Sequence, residues 1–177
     1  NPGAATKLVI TATPGAITAG TTKAITITAQ DASGNTTTSY AGDKNLIFST
    51  SMTPSKVPTA SNKNAVDIDF GLTTVVTFVN GVGTSTLKGY KSELTTVSVT
   101  DGTISSSGGG NLPLDITPGS FSKLAVSLAS PQTSGTAFTG VNTLTAQDEF
   151  GNTVNLDAST NNVTVTSSLG GTITGLS

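Results

Sequence analysis

Nine residues written twice constrain this chain more than anything else in it. Thr28 to Thr36 reads Thr-Ala-Gln-Asp-Ala-Ser-Gly-Asn-Thr, and Thr145 to Thr153 repeats it with changes only at the fifth and sixth positions. Such a match means one turn built twice, by two copies of one module. The flanks agree: Asn1 to Leu8 aligns with Thr117 to Leu124, and Asn45 to Ser51 with Asn162 to Ser168. Lys7 and Lys123 are 116 apart while the two turns are 117 apart, so one residue is inserted between the anchors. A period this long is a whole domain, since solenoid units run roughly 20 to 50 residues. The sequence therefore divides into a complete copy, residues 1–117, and the first half of a second, residues 118–177.

The local pattern is that of strands. No window carries apolar residues at helical spacing, whereas alternation at period two recurs throughout. Leu8, Ile10 and Ala12 share one side of a first strand, which ends at Pro14-Gly15. Ile25, Ile27 and Ala29 share a face of the next; Leu144 and Ala146 stand where Ile27 and Ala29 do and are expected in the second copy's core. The Asp-x-x-Gly-Asn turn follows, with Gly34 and Gly151 free to take positive φ. A strand over Asn45 to Thr50 turns Leu46 and Phe48 inward, matched by Val163 and Val165. Met52 to Asn64 reads as a long polar loop, and Val66 to Phe70 as a strand with an acidic outer face of Asp67 and Asp69. Thr73 to Val79 and Thr84 to Lys88 flank Asn80-Gly81-Val82-Gly83, a hairpin signal. Leu94 to Thr100 points Val97 and Val99 inward, Ser105 to Gly110 is a flexible loop, and Leu112, Leu114 and Ile116 form the closing strand. Seven or eight short strands in such a length predict an all-β fold, an antiparallel β-sandwich with Greek-key connections.

Composition limits the chemistry. Among 177 residues there is no Cys, His, Trp or Arg, and the net charge is −2. Disulfides, thiolate or imidazole metal sites and the commonest catalytic bases are thereby absent, and no basic stripe exists to neutralise phosphates, which excludes nucleic acid as an expected partner. With 35 Thr and 21 Ser the chain is rich in hydroxyls, a surface typical of exported proteins of bacteria or archaea. No apolar run reaches the length of a membrane span, so no membrane insertion is expected. Because Asn1 falls at a repeat boundary, the sequence reads as a processed product or an excerpt.

Lys7-Leu8, the Gln-Asp-x-x-Gly-Asn turn, Phe78 to Leu87 (Phe-Val-Asn-Gly-Val-Gly-Thr-Ser-Thr-Leu), Val97-x-Val-Thr-Asp-Gly102 and a last Leu-x-Ile before Pro-Gly together resemble bacterial Ig-like domains. Those are the tandem modules of invasin- and intimin-like adhesins and of S-layer proteins; the turn is also similar to that of filamin-type repeats. The resemblance covers the first copy and what exists of the second. It implies Ig-like β-sandwiches in tandem, an extracellular, cell-surface location in a wall or S-layer, and a non-catalytic structural role as adhesin stalk or S-layer or filament component. The partners it implies are neighbouring Ig-like repeats of the same chain or of another copy, and cell-surface glycans or another cell's surface. The Met52 to Asn64 loop departs from the family pattern.

Few side chains suggest chemistry. Asp31 with Asn35, and Asp148 with Asn152, offer oxygens for calcium, the one cofactor considered; since calcium takes six or more oxygens, a purely structural turn is the preferred reading. Asp67 and Asp69 suit an edge strand that repels aggregation, and catalysis would need them to pair with each other or with Glu93 across a cleft; no enzyme activity is expected. Surface Ig-like domains can carry a Lys–Asn isopeptide bond, for which Lys7 and Asn111, assisted by Asp101 or Glu93, are the conceivable set. Asn35 and Asn162 open glycosylation sequons that so Thr-rich a chain contains by accident. The alternative to a structural module is a carbohydrate- or calcium-dependent ligand-binding module, in which Tyr40 and Tyr90 would supply the aromatic platform. The incomplete second copy would be finished either by residues beyond those given or by strands from a neighbouring chain.

Overall fold

A computed structural model describes residues 2–53, 56–133, 135–156, 163, 164 and 166. The chain divides into two compact units, Asn1–Gly119 and Ser120–Ser177.

Unit 1 contains β1 (Lys7–Ala12), β2 (Ile17–Thr18), β3 (Thr22–Gln30), β4 (Gly42–Thr50), β5 (Thr59–Ser61), β6 (Asp67–Asp69), β7 (Thr73–Val79), β8 (Val82–Lys88), β9 (Leu94–Thr100) and β10 (Leu112–Thr117). The hydrogen-bonded order is β1-β3-β8-β7-β4-β9-β10-β2, with β5 on β8 and β6 on β5. All pairings are antiparallel except β10 with β2. β7 and β8 share only two residue pairs, Phe78↔Gly83 and Val79↔Val82. The sheet curls there, so β1-β3-β8 and β7-β4-β9-β10 turn their inner faces toward each other. β1 lies against β9 and β10 without pairing with either. The result is an all-β sandwich of Ig-like kind.

The alternation read from the sequence selects these faces. Leu8, Ile10, Ile25, Ile27 and Ala29 meet Leu46, Phe48, Val76, Phe78, Val97, Val99, Leu114 and Ile116, all buried. Phe70, just past β6, stacks on Phe48 with ring centroids 5.6 Å apart. Buried apolar surface of this extent is the main source of stability in a fold without disulfides.

Several boundaries differ from expectation. Met52 to Asn64 is not all loop: β5 lies within it, and Thr59, Ala60 and Ser61 are buried against β8 and β6. Three residues are too few to show an alternation, which is why the strand is illegible in sequence. The Val66 to Phe70 strand shrinks to Asp67–Asp69, leaving Val66 exposed. β4 starts at Gly42, earlier than Asn45. The β7–β8 connection is a two-residue turn, Asn80-Gly81, with φ of 51° and 83°; both residues take the left-handed backbone that suits the twist of the flanking strands. Ser105 to Gly110 is pinned: Ser105 bridges to Thr100 and its carbonyl accepts the Leu8 amide, the buried Ser106 Oγ accepts the Val99 amide at 2.8 Å, and Gly108–Gly110 form a 3₁₀ turn. Gly110 is obligatory there, since a Cβ would stand 2.8 Å from the Leu8 carbonyl oxygen.

Unit 2 contains β11 (Lys123–Ser127) and β12 (Thr143–Gln147), paired antiparallel. Lys123↔Gln147, Leu124↔Ala146 and Val126↔Leu144 reproduce Lys7↔Gln30, Leu8↔Ala29 and Ile10↔Ile27. The inserted residue lies in the connection between the strands, so it leaves the register untouched. Leu144 and Val163, expected as core, are instead exposed, and Ala146 is half-buried. Among the described residues no second layer faces the β11–β12 ladder, and a two-stranded ladder cannot bury its own apolar face. Val165 and Asn162 lie outside the described residues. No helix among the described residues is long and apolar enough to cross a membrane.

Candidate functional site

The repeated turn carries a polar constellation centred on one aspartate in each unit. In unit 1 the Asp31 Oδ1 accepts the Ser33 and Asn35 backbone amides at 2.9 Å each, and Oδ2 accepts the Gly3 amide at 2.9 Å and the Asn35 Nδ2 at 3.1 Å. The Asp31 amide donates to the Asn35 carbonyl, and Gly34 donates back to the Asp31 carbonyl with φ of 87°. Donation from the Gly3 amide, then from Asn35, holds the Asp31 carboxyl down at about 2; N–H groups aimed at a carboxylate favour its charged form.

Unit 2 builds the same object. Asp148 Oδ1 accepts Phe150 and Asn152 amides at 2.9 and 2.8 Å, and Oδ2 accepts Asn152 Nδ2 at 2.8 Å. The Asp148 amide meets the Asn152 carbonyl at 2.9 Å, the same as in unit 1. Even the backbone after the turn returns alike, with Thr37 N donating to Ala29 O and Val154 N to Ala146 O, both at 2.9 Å.

Each Asp–Asn pair is thus brought together, but the carboxylate oxygens face N–H donors. A calcium ion needs those lone pairs, and Asn35 and Asn152 present their amide nitrogens to the carboxylates. Among the described residues no group of three or more His, Cys, Asp or Glu gathers.

The other acids stand singly. Asp67 pairs with Lys88 at 2.5 Å, and that contact raises the Lys88 ammonium above its ordinary value. Asp69 is exposed at the edge strand. Glu93 pairs with Lys91 at 2.9 Å. Asp43, between Lys63 and the Thr77 hydroxyl, is held low, chiefly by Lys63. None of these pairs sets two carboxylates face to face as acid and base. Of the acids expected to assist a Lys7–Asn111 bond, Glu93 is held by Lys91, and Asp101 accepts the Tyr40 hydroxyl at 2.6 Å and the Thr103 and Ile104 amides at 2.8 Å. Burial pushes the Asp101 carboxyl up, but these donors outweigh it and hold it below the usual range.

Neither tyrosine forms an open platform. The Tyr40 ring packs edge-on against Phe78 at 4.9 Å and lies under the Lys44 ammonium at 4.6 Å. Tyr90 is buried, with the Lys56 ammonium 4.1 Å from its ring centre. An open groove of about 660 Å³ lies on unit 1. Thr11, Thr26, Ser61, Lys63, Thr84 and Thr86 line it, with no aromatic ring or carboxylate. Sequence reading missed it because its residues come from separate strands that only the fold makes adjacent.

No protein-family model matches the chain, and no curated protein sequence matches it. Solved structures do. The adhesin FdeC of Escherichia coli superposes with a TM-score of 0.50 at 18% identity, over 84% of this chain and 42% of that one. Domains 1–6 of the surface layer protein SbsC match with a TM-score of 0.41 at 19% identity, over 87% and 17%. A β-glycosidase from Bacteroides vulgatus matches with 0.46 at 17%, over 64% and 14%. The chain thus spans less than half the length of each of these structures. The FdeC match shows a shared fold.

Proposed function

We propose that this chain is a non-catalytic structural module of a bacterial or archaeal extracellular surface protein, serving as part of an adhesin stalk or of an S-layer or filament. The observation that carries the reading is the turn made twice, hydrogen bond for hydrogen bond, with its charged group spent on its own backbone. A module copied in this way conserves shape rather than a reactive group. The fold shared with the adhesin FdeC supports a surface setting. The turn aspartates act as backbone locks in this reading, and calcium is not required. A glycan-binding role is less well supported, because both tyrosines are engaged within the fold.

The test is accessibility on living cells. Antibodies raised against unit 1 should label intact cells of the organism that carries the chain, and external protease should remove the signal. Labelling that requires lysis would sink the surface assignment.

A further inference from the structure

We propose that the free edge of β12 is an acceptor for one more antiparallel strand, an extended segment with the inward side chains of β8: glycine, serine and leucine at alternate positions. Unit 1 shows the occupied state of the same strand. There β3 is paired on both edges, with β1 on one and with β8 on the other, from Thr22↔Lys88 to Thr28↔Val82. β12 repeats β3 in sequence and in its register with its hairpin partner, yet among the described residues its other edge is met only at its end, by the Gln147↔Thr153 bridge and the bond from Val154 to Ala146, and no strand lies along Thr143 to Thr145 there.

The groups that would receive the guest can be named. Ala29 donates its amide to Gly81 and accepts Thr37 on its carbonyl, so its backbone faces the β8 edge. Alternation puts Ile27 on that edge too. Their counterparts are Ala146 and Leu144. The Ala146 carbonyl already accepts Val154, which reproduces the end of the site. Its amide and the backbone of Leu144 point outward from the hairpin.

The inner face agrees. Leu124, Val126 and Leu144 are 40%, 65% and 45% exposed, whereas their counterparts Leu8, Ile10 and Ile27 are at most 3% exposed. A strand laid on β12 starts to cover that face and completes its ladder. Register transfers from unit 1: Thr145 faces the guest's Val82 position, Leu144 the Gly83 position and Thr143 the Thr84 position. In unit 1 the place opposite Ile27 holds a glycine, and a Cβ there would stand 2.9 Å from Val76. A second copy's β12 would instead set leucines and threonines against themselves, and lacks that glycine.

The test uses the full 177-residue chain and a synthetic peptide of residues 80–90. The peptide should bind saturably and slow amide exchange at Leu144 and Ala146 on the order of tenfold, while Thr143 and Thr145, which face β11, change little. A peptide carrying L87D should lose the effect, and so should the chain variant L144P, which deletes a donor on the free edge. Unchanged exchange at Ile27 checks that L144P still folds in unit 1. The proposal fails if Leu144 and Ala146 are unaffected, if the L87D peptide works equally well, or if protection appears at Ile27 instead. Protection without peptide, accompanied by a dimer in sedimentation, would assign the edge to a second copy and likewise overturn it.

Discussion

The Asp31 carboxylate takes both amides of Asn35, the backbone amide at 2.9 Å and the side-chain amide at 3.1 Å. The turn is thereby closed on one carboxylate, which must be charged to hold it. Its folded value of about 2 lies below the ordinary 3.8. A depressed acid contributes stability that is fully present above its unfolded value and is lost as pH falls through the folded one. Thermal unfolding between pH 7 and 2 should therefore show a midpoint that drops from just below pH 4 toward pH 2. D31N, which cannot ionise, should melt a few degrees lower at neutral pH and follow a flatter acid profile. Parallel profiles for the two proteins would contradict this.

Ile27 and Leu144 occupy equivalent places with opposite burial, 0% against 45% exposed. I27A should destabilise unit 1 by about 2–5 kcal/mol, the range for truncating a fully enclosed aliphatic. L144A should cost under about 1 kcal/mol, as substitutions at open sites do. Both tyrosines lie in unit 1, so tyrosine fluorescence in urea follows that unit alone and should move for I27A only. A comparable shift for L144A would show that the two units unfold as one.

Calcium should do little. A site half-saturated at a hundredth of the added concentration would stabilise its unit by about 2.7 kcal/mol. With the Asp31 and Asp148 oxygens turned to N–H donors, millimolar calcium and EDTA should give the same melting midpoint. A rise with calcium that D31N abolishes would restore the aspartates as ligands.

What was legible in the sequence was whatever repeats or alternates. The duplicated turn and the inward sets Ile25-Ile27-Ala29 and Leu112-Leu114-Ile116 stand where their spacing put them. β5 escaped notice because Thr-Ala-Ser has no apolar alternation, and its burial comes from β6 and β8 on either side. The clasp of Gly3 on Asp31 and the Tyr40–Asp101 bond join residues 28 and 61 positions apart, so only the fold brings them together. The sequence places Leu144 in a core because it stands where Ile27 does; burial, however, depends on an opposing layer, and among the described residues none covers β11 and β12.

Two left-handed glycines separate backbone strain from crowding. Gly34 and Gly81 have φ of 87° and 83°, but a Cβ on Gly34 meets open space, whereas one on Gly81 would stand 2.5 Å from the Thr37 carbonyl oxygen. G34A should cost about 1 kcal/mol from conformation alone. G81A must also push the β7–β8 turn off the Thr37 backbone and should cost at least about 2–3 kcal/mol. Chemical denaturation of the two variants gives the comparison, and equal losses would mean the turn can shift freely.

The Tyr40 hydroxyl donates to Asp101 across the unit, from the segment before β4 to the turn after β9. Burial first, then the Asp101 carboxylate, push the phenol above its ordinary value of 10. The fold thus favours the neutral phenol, so its contribution is complete below pH 10 and is lost as pH rises through the higher folded value. Y40F and D101N should each destabilise unit 1, and the double mutant should recover a coupling of roughly 1 kcal/mol, a hydrogen bond to a charged group reduced by partial exposure. In alkaline titration the Tyr40 phenolate should appear late, and Y40F should resist unfolding there better, relative to its own neutral-pH stability, than the parent chain does. Additive losses in the double mutant would mean that the two side chains support the turn independently and that the bond between them contributes nothing.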